Sequence, residues 1–155
     1  MRLDAQADDA PEKLEEALVR GSYRVMGILT RLGAEHDLSL SLLRVLGILR
    51  DRRLRVSDLA DRLGLDKSTM SGLVDRAERR GLLARGKNPE DGRAVDVYAT
   101  PAGRELAARL HTRFRRALKP SFDRFTPERR AELVRLLTVV LEEADKGVTR
   151  PGRDR

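Results

Sequence analysis

The chain has 155 residues, with 32 Lys and Arg against 25 Asp and Glu, a net charge of +7. It has no cysteine and two histidines, which excludes a disulfide framework, a thiolate zinc site, a thiol nucleophile and a multi-His metal site within one chain. No apolar run approaches the ~20 residues of a membrane span, residues 1–11 are too acidic for a secretory signal, and so basic a chain suits a polyanionic partner, nucleic acid before an anionic membrane surface.

Residues 1–11 are expected to be disordered. From Pro11 a helical pattern begins, with Leu14, Leu18, Gly21, Val25, Ile28 and Leu32 alternating at spacings of four and three. So narrow a stripe suits pairing with another helix, and Gly33 is a natural end for it. Over Leu38–Leu49 the apolar residues wrap almost all round, as in a buried helix.

A short helix is expected over Val56–Leu65, with Ser57 as its cap and Leu59, Ala60 and Leu63 inward. Gly64 then allows a sharp turn. Asp66 or Ser68 can cap the next helix, which runs to about Arg80. Met70, Leu73, Val74 and Ala77 form its inward stripe. Lys67, Ser68, Thr69, Ser71, Gly72, Arg76, Arg79 and Arg80 face out. The period then changes to two. Leu82–Lys87 and Ala94–Thr100 read as strands of a hairpin whose tip is Asn88-Pro89-Glu90-Asp91-Gly92-Arg93. Val95, Val97 and Ala99 are expected on one face, Asp96 and Tyr98 on the other. Thr100-Pro101 and Thr126-Pro127 each start a helix, and Pro120 is expected to stop the first of them. Leu133, Leu136, Leu137, Val140, Leu141 and Ala144 give the last helix an apolar stripe, and residues 147–155 are expected to be disordered.

A helix, a glycine turn, a second helix and a charged hairpin in this order spell a helix-turn-helix with a β-wing. Residues 50–93 carry twelve basic against eight acidic side chains. A helix fits the major groove of B-DNA, and Ser and Thr hydroxyls serve either base edges or phosphates. Gly72 lets the backbone approach, Arg76 can reach a guanine edge or a phosphate, and the free N–H groups at the helix start suit a phosphate. Arg93, held extended by Asp91, can enter a narrow minor groove, with Arg85 and Lys87 near flanking phosphates.

The run Val56-Ser57-Asp58-Leu59-Ala60-Asp61-Arg62-Leu63-Gly64-Leu65-Asp66-Lys67-Ser68-Thr69-Met70-Ser71 continues through Leu73-Val74-Asp75-Arg76-Ala77-Glu78-Arg79-Arg80-Gly81-Leu82. With Asn88-Pro89-Glu90-Asp91-Gly92-Arg93-Ala94 and Ala99-Thr100-Pro101-Ala102-Gly103, it resembles the MarR family of winged-helix transcriptional regulators. The resemblance implies a mainly α fold with a small β-hairpin, a single domain over 12–146. Dimerisation helices would occupy 12–36 and 101–146, and the winged helix-turn-helix 38–100. It implies a cytoplasmic homodimer that binds double-stranded DNA at a pseudo-palindromic operator, most simply a repressor released by a small, aromatic type of ligand. Its DNA contacts would be Lys67, Ser68, Thr69, Ser71, Gly72, Arg76, Arg85, Lys87, Asp91 and Arg93. Tyr23, Arg24, Met26, His36 and Arg44 lie on the helices that line the family's ligand pocket. No cofactor, metal or catalytic residue is expected, since the chain carries no nucleophile–base set and no phosphate-binding glycine loop. A dimeric protein-interaction adaptor is the alternative, and a charged, hydroxyl-bearing face argues against it.

Overall fold

The computed structural model describes the backbone of residues 10–147 and the side chains of 13–142, so the tails expected to be disordered lie outside the described residues except at their inner ends. The elements run α1 (Ala10–Ala34), α2 (Leu40–Ile48), α3 (Val56–Leu63), α4 (Lys67–Arg79), β1 (Leu83–Lys87), β2 (Val95–Ala99), α5 (Pro101–Phe122) and α6 (Pro127–Gly147). They form two compact units, one ending at Arg115 and one beginning at Arg116, so the boundary falls inside α5.

The apolar stripe of α1 has two fates. Ile28 and Leu32 are buried, whereas Leu14 and Leu18 are exposed, as are Val19 and Tyr23 outside the stripe. The chain turns just past the helix, where the Gly33 carbonyl accepts from the N–H groups of His36 and Leu38, each at 2.9 Å. Ser39 then caps α2 by accepting from the Leu42 N–H at 3.2 Å. Leu42, Val45, Leu46 and Leu49 of this segment are all buried, as expected of a helix apolar on most sides.

Two caps differ from the sequence reading. Ser57 does not cap α3. The cap position is Arg55, which makes no side-chain cap bond, and Ser57 lies inside the first turn. The open choice at α4 resolves to Asp66, whose carboxylate accepts from the Thr69 N–H at 2.8 Å. Between the two helices Gly64 sits at φ 67°, the left-handed region that costs a residue without Cβ nothing. The Leu65 N–H returns to the Ala60 carbonyl at 2.9 Å and closes the turn. The inner faces of both helices are buried where the periodicity put them: Leu59, Ala60 and Leu63, then Met70, Leu73, Val74 and Ala77.

β1 and β2 pair antiparallel, Leu83 opposite Ala99 and Lys87 opposite Val95. Leu54 adds an isolated bridge to Val97, exchanging bonds of 3.1 and 2.8 Å across it, so the hairpin is tied to the segment before α3. The alternation expected along β2 fails near the wing. Val95 is exposed and Asp96 is buried. Val95 lies beyond the core, while the Asp96 carboxylate accepts from the Asn88 side-chain amide at 2.8 Å, which satisfies it inside.

Thr100 caps α5 by accepting from the Gly103 N–H at 3.0 Å, and its own hydroxyl donates to the Gly81 carbonyl at 2.6 Å. Pro120 does not stop the helix, which continues to Phe122. So close to the C-terminus the missing N–H removes one bond and leaves the turns before it intact. In the second unit Thr126 caps α6, accepting from the Arg129 N–H at 3.4 Å. The Glu128 carboxyl is held below the usual carboxylate range, first by its own backbone N–H and then by Thr126. Val134, Leu136, Leu137, Val139, Val140 and Leu141 of α6 are exposed.

Candidate nucleic-acid interface

The first turn of α4 is organised by one carboxylate. Asp66 Oδ1 accepts from Thr69 N–H and from the Ser68 hydroxyl, both at 2.8 Å, and Oδ2 accepts from the Thr69 hydroxyl at 2.6 Å. The Thr69 hydroxyl, then its N–H, then the Ser68 hydroxyl hold the Asp66 carboxyl far below the ordinary range. Lys67, between them, is exposed and carries no ion pair among the described residues. One turn on, Ser71 and Gly72 are half-buried and Arg76 is exposed and likewise unpaired.

Arg85 occupies a different situation from the free phosphate cation of the sequence reading. Its guanidinium bridges Asp75 Oδ1 at 2.7 Å and Glu78 Oε2 and lies 3.5 Å from the Ser71 hydroxyl. Its backbone N–H also donates to Glu78 Oε1 at 2.9 Å. It therefore joins β1 to α4 and offsets one of the two negative charges that Asp75 and Glu78 place on that helix. Lys87, at the end of β1, is exposed and unpaired among the described residues.

At the wing tip Asn88 Oδ1 accepts from the N–H groups of Glu90 and Asp91 at 2.7 and 3.0 Å, an Asx-type turn. Asp91 Oδ1 accepts from the Arg93 N–H at 3.1 Å, and Oδ2 meets Arg55 Nη2 at 3.2 Å. Asp91 thus braces Arg93 through the backbone, and Arg55 is the guanidinium it pairs with. The Arg93 side chain is exposed and without an ion pair among the described residues. Arg55 was not among the residues the sequence singled out, because it stands 36 positions from Asp91 and only the folded hairpin brings them together. Arg53, stacked 4.2 Å above the Tyr98 ring, escaped for the same reason.

Of the residues expected to line a ligand pocket, Arg44 alone borders a partly open cavity among the described residues. The cavity measures about 220 Å³ and lies among α1, α2 and the first part of α5, with Leu29, Leu32, Leu46, Leu110 and Phe114 as apolar walls and Arg44 and His111 as polar ones. Tyr23 and Met26 are exposed, as is Arg24. His36 sits in the α1–α2 turn, where its carbonyl accepts from Arg80 Nη2 at 2.8 Å. Arg80 Nη1 donates to the adjacent Asp37 carbonyl at 2.6 Å. The same turn is held on another side by Arg113, paired with Glu35, whose carboxyl it keeps below the usual range. His111 and the α5 wall carry no local sequence signal beyond an ordinary amphipathic helix. Among the described residues no group of three His, Cys, Asp or Glu is placed to hold a metal ion, and no helix is long and apolar enough to cross a membrane.

A short helix, a glycine turn, an exposed second helix and an arginine-tipped hairpin define a winged helix-turn-helix module. The model of the MarR family matches residues 36–94, spanning that module to its wing. The chain is 32% identical over 114 residues to the uncharacterized HTH-type transcriptional regulator YfiV of Bacillus subtilis, covering 71% of each. It is 28% identical over 127 residues to the homoprotocatechuate degradative operon repressor of Escherichia coli, covering 81% of this chain and 86% of that one. The crystal structure of CouR from Rhodococcus jostii bound to p-coumaroyl-CoA superposes with a TM-score of 0.71 at 26% identity, over 89% of this chain and 95% of the other. The chain belongs to the MarR family of transcriptional regulators. It is a DNA-binding regulator and not an enzyme, of a family whose members bind DNA as dimers and respond to small molecules.

Proposed function

We propose that the chain is a cytoplasmic homodimeric repressor that occupies a pseudo-palindromic operator and leaves it when a small aromatic ligand fills the cavity among α1, α2 and α5. That cavity carries the reading. A cavity of ~150 Å³ holds benzene, so about 220 Å³ admits one substituted aromatic ring. Arg44 and His111 supply the polar end that would orient it. The E. coli relative's name, an operon repressor, supports the direction of control. The exposed apolar residues of α1 and of α6 are surfaces for a second subunit to cover. On the DNA side, Lys67, Ser68, Thr69, Ser71, Gly72 and Arg76 serve the major groove and Arg93 the minor groove. Lys87 meets phosphate. Arg85 and Asp91 act by holding the helix and the wing in place.

Sedimentation of the purified protein, followed by fluorescence-anisotropy titration of duplexes selected from a random-sequence library, tests the assembly and its DNA. Addition of a panel of aromatic acids to the complex then tests release. A dimer that binds a two-fold-related duplex and releases it with an acid of one ring is expected, with Arg44→Ala keeping DNA affinity and losing the response. A monomer, or a protein that selects no duplex at low salt, overturns the reading. An unresponsive complex overturns the ligand-release part alone.

A further inference from the structure

The direction of the hydroxyl protons at the start of α4 decides what that turn can read. A hydroxyl has one proton to give and two lone pairs to offer. Ser68 gives its proton to Asp66 Oδ1 at 2.8 Å, and Thr69 gives its proton to Asp66 Oδ2 at 2.6 Å. Both side chains are exposed, so what they turn outward is lone pair. Asp66 is exposed as well, and its negative charge sits where the free N–H groups of a helix start would otherwise attract an anion. One of those N–H groups, that of Thr69, is already spent on Asp66 at 2.8 Å.

A phosphate oxygen only accepts hydrogen bonds. Set against two outward lone pairs and a carboxylate, it meets repulsion from all three. The sequence reading left hydroxyls free to serve bases or phosphates and gave the helix start to a phosphate; the hydrogen bonds now separate those options. In the major groove the groups that donate are the N6 amino group of adenine and the N4 amino group of cytosine. We infer that Asp66 orients Ser68 and Thr69 as hydrogen-bond acceptors, so that the first turn of α4 reads base amino groups and leaves phosphate contacts to Lys67 and the cations further along. Asp66 acts in this as a positioning residue, since it sets the hydroxyls and does not itself reach the base. The inference rests on the assignment of α4 as the DNA-reading helix.

The test uses the duplex of highest affinity selected from a random library by the full-length protein. Each adenine of one half-site is replaced in turn by purine, which lacks the 6-amino group, or by 7-deazaadenine, which lacks the N7 acceptor. Each cytosine is replaced by 2-pyrimidinone, which lacks the 4-amino group. At one or two positions loss of the amino group should weaken binding about fivefold, the worth of one hydrogen bond, while at an adenine position loss of N7 costs less than about twofold. Thr69→Val keeps the shape and the backbone cap while removing the hydroxyl, and Ser68→Ala is its counterpart. In one or other variant the amino penalty at that position should vanish while penalties elsewhere in the half-site persist, a selective loss that a merely structural effect cannot produce. Asp66→Asn keeps a good N-cap but frees a hydroxyl proton, and should raise affinity for an unrelated duplex while narrowing the gap to the selected one. Penalties that follow N7 and spare the amino groups overturn the inference with DNA binding intact, and so do amino penalties that both hydroxyl variants leave unchanged. Failure to select any duplex overturns instead the DNA-binding assignment on which it rests.

Discussion

Replacing Gly103 by alanine should destabilise the protein although alanine is the better helix former. Gly103 lies in the first turn of α5, against the residue before β1. A Cβ built there would lie 2.0 Å from the Leu82 carbonyl oxygen and 3.0 Å from its carbon, both backbone atoms that no side-chain rotation can move. The first turn of α5 would have to withdraw by about 1 Å to reach the closest approach real Cβ atoms show. That carbonyl accepts from Thr100 N–H at 3.1 Å and lies 3.2 Å from the Thr100 hydroxyl, whose proton goes to the Gly81 carbonyl, and Thr100 in turn caps α5. Overpacking of this kind costs about 1–3 kcal/mol. Each strained hydrogen bond adds roughly 0.5–1.5 kcal/mol. Helix propensity and the stiffer unfolded chain return at most about 1 kcal/mol. The net is about 2–4 kcal/mol, which for a chain of this length lowers the melting temperature by roughly 5–15 °C. Circular dichroism melts of both proteins at one concentration measure it, with concentration fixed because a dimer's melting point depends on it. A melting temperature equal to or above the parent's would refute the reasoning, since propensity alone predicts that result.

Arg93→Ala should weaken binding to the selected duplex by about tenfold or more, as loss of a minor-groove arginine would, with the melting temperature unchanged; unaltered affinity at fixed salt would take the wing out of the interface. Gly72→Ala should stabilise α4 by about 0.5–1 kcal/mol, because the new methyl group meets only the flexible end of Arg76 at 3.5 Å. If the backbone approaches DNA there, its affinity falls in the same titration, and an unchanged affinity removes Gly72 from the contacts. The depressed Asp66 carboxyl fixes a sign for acid. A group whose folded pKa lies below its unfolded value stabilises the fold above the unfolded value, about 3.9 for Asp, and the contribution is lost as pH falls through the folded one. Asp66→Ala should therefore melt below the parent throughout pH 5–7, with the gap closing only below about pH 4; a gap that closes between pH 7 and 5 would contradict the assignment.

What the sequence disclosed was whatever depends on neighbours in the chain. The inward stripes of α3 and α4 were legible because three or four residues at helical spacing must share a face. Thr100-Pro101 was legible because a capping hydroxyl and a fixed φ act within one turn. The misreadings share a different cause. Ser57 looked like a cap by residue type, but where the chain leaves the extended conformation is set by the Leu54 bridge to Val97, 43 positions away. Pro120 looked like a stop because its local cost is real, but a helix already formed over five turns can lose one bond near its end. Asp96 was set opposite Val95 and Val97 by the alternation of a strand, and Asn88 satisfies it inside only once the wing has folded. In the site, Ser68 and Thr69 were legible as exposed hydroxyls, whereas the direction of their protons needed Asp66 in place. The cavity was least legible of all, since its walls come from three helices whose residues look like ordinary core.

The cations of the module sort into two kinds that a charge count cannot distinguish. Arg55 pairs with the wing tip, Arg85 with Asp75 and Glu78, Arg53 lies on Tyr98, and Arg80 grips the carbonyls of the α1–α2 turn. Lys67, Arg76, Lys87 and Arg93 have no such partner among the described residues. Partners fix the first group in place, and carboxylates offset the charge of Arg55 and Arg85 within it, so the second group is the one free to turn its charge toward a phosphate. Counterion release scales with the phosphates a protein neutralises. Removing a cation of the second kind should therefore flatten the dependence of affinity on salt. Removing Arg85 leaves Asp75 and Glu78 uncompensated on the recognition helix, and it should lower affinity with less change in that slope. The Arg85 guanidinium counts as a free positive charge in the sequence, but in its setting it is outweighed by the two carboxylates of α4 that it bridges. Asp75 and Glu78 stand one turn apart on α4, on either side of Arg76 in the chain, and β1 supplies the guanidinium that bridges them and offsets one of their two charges.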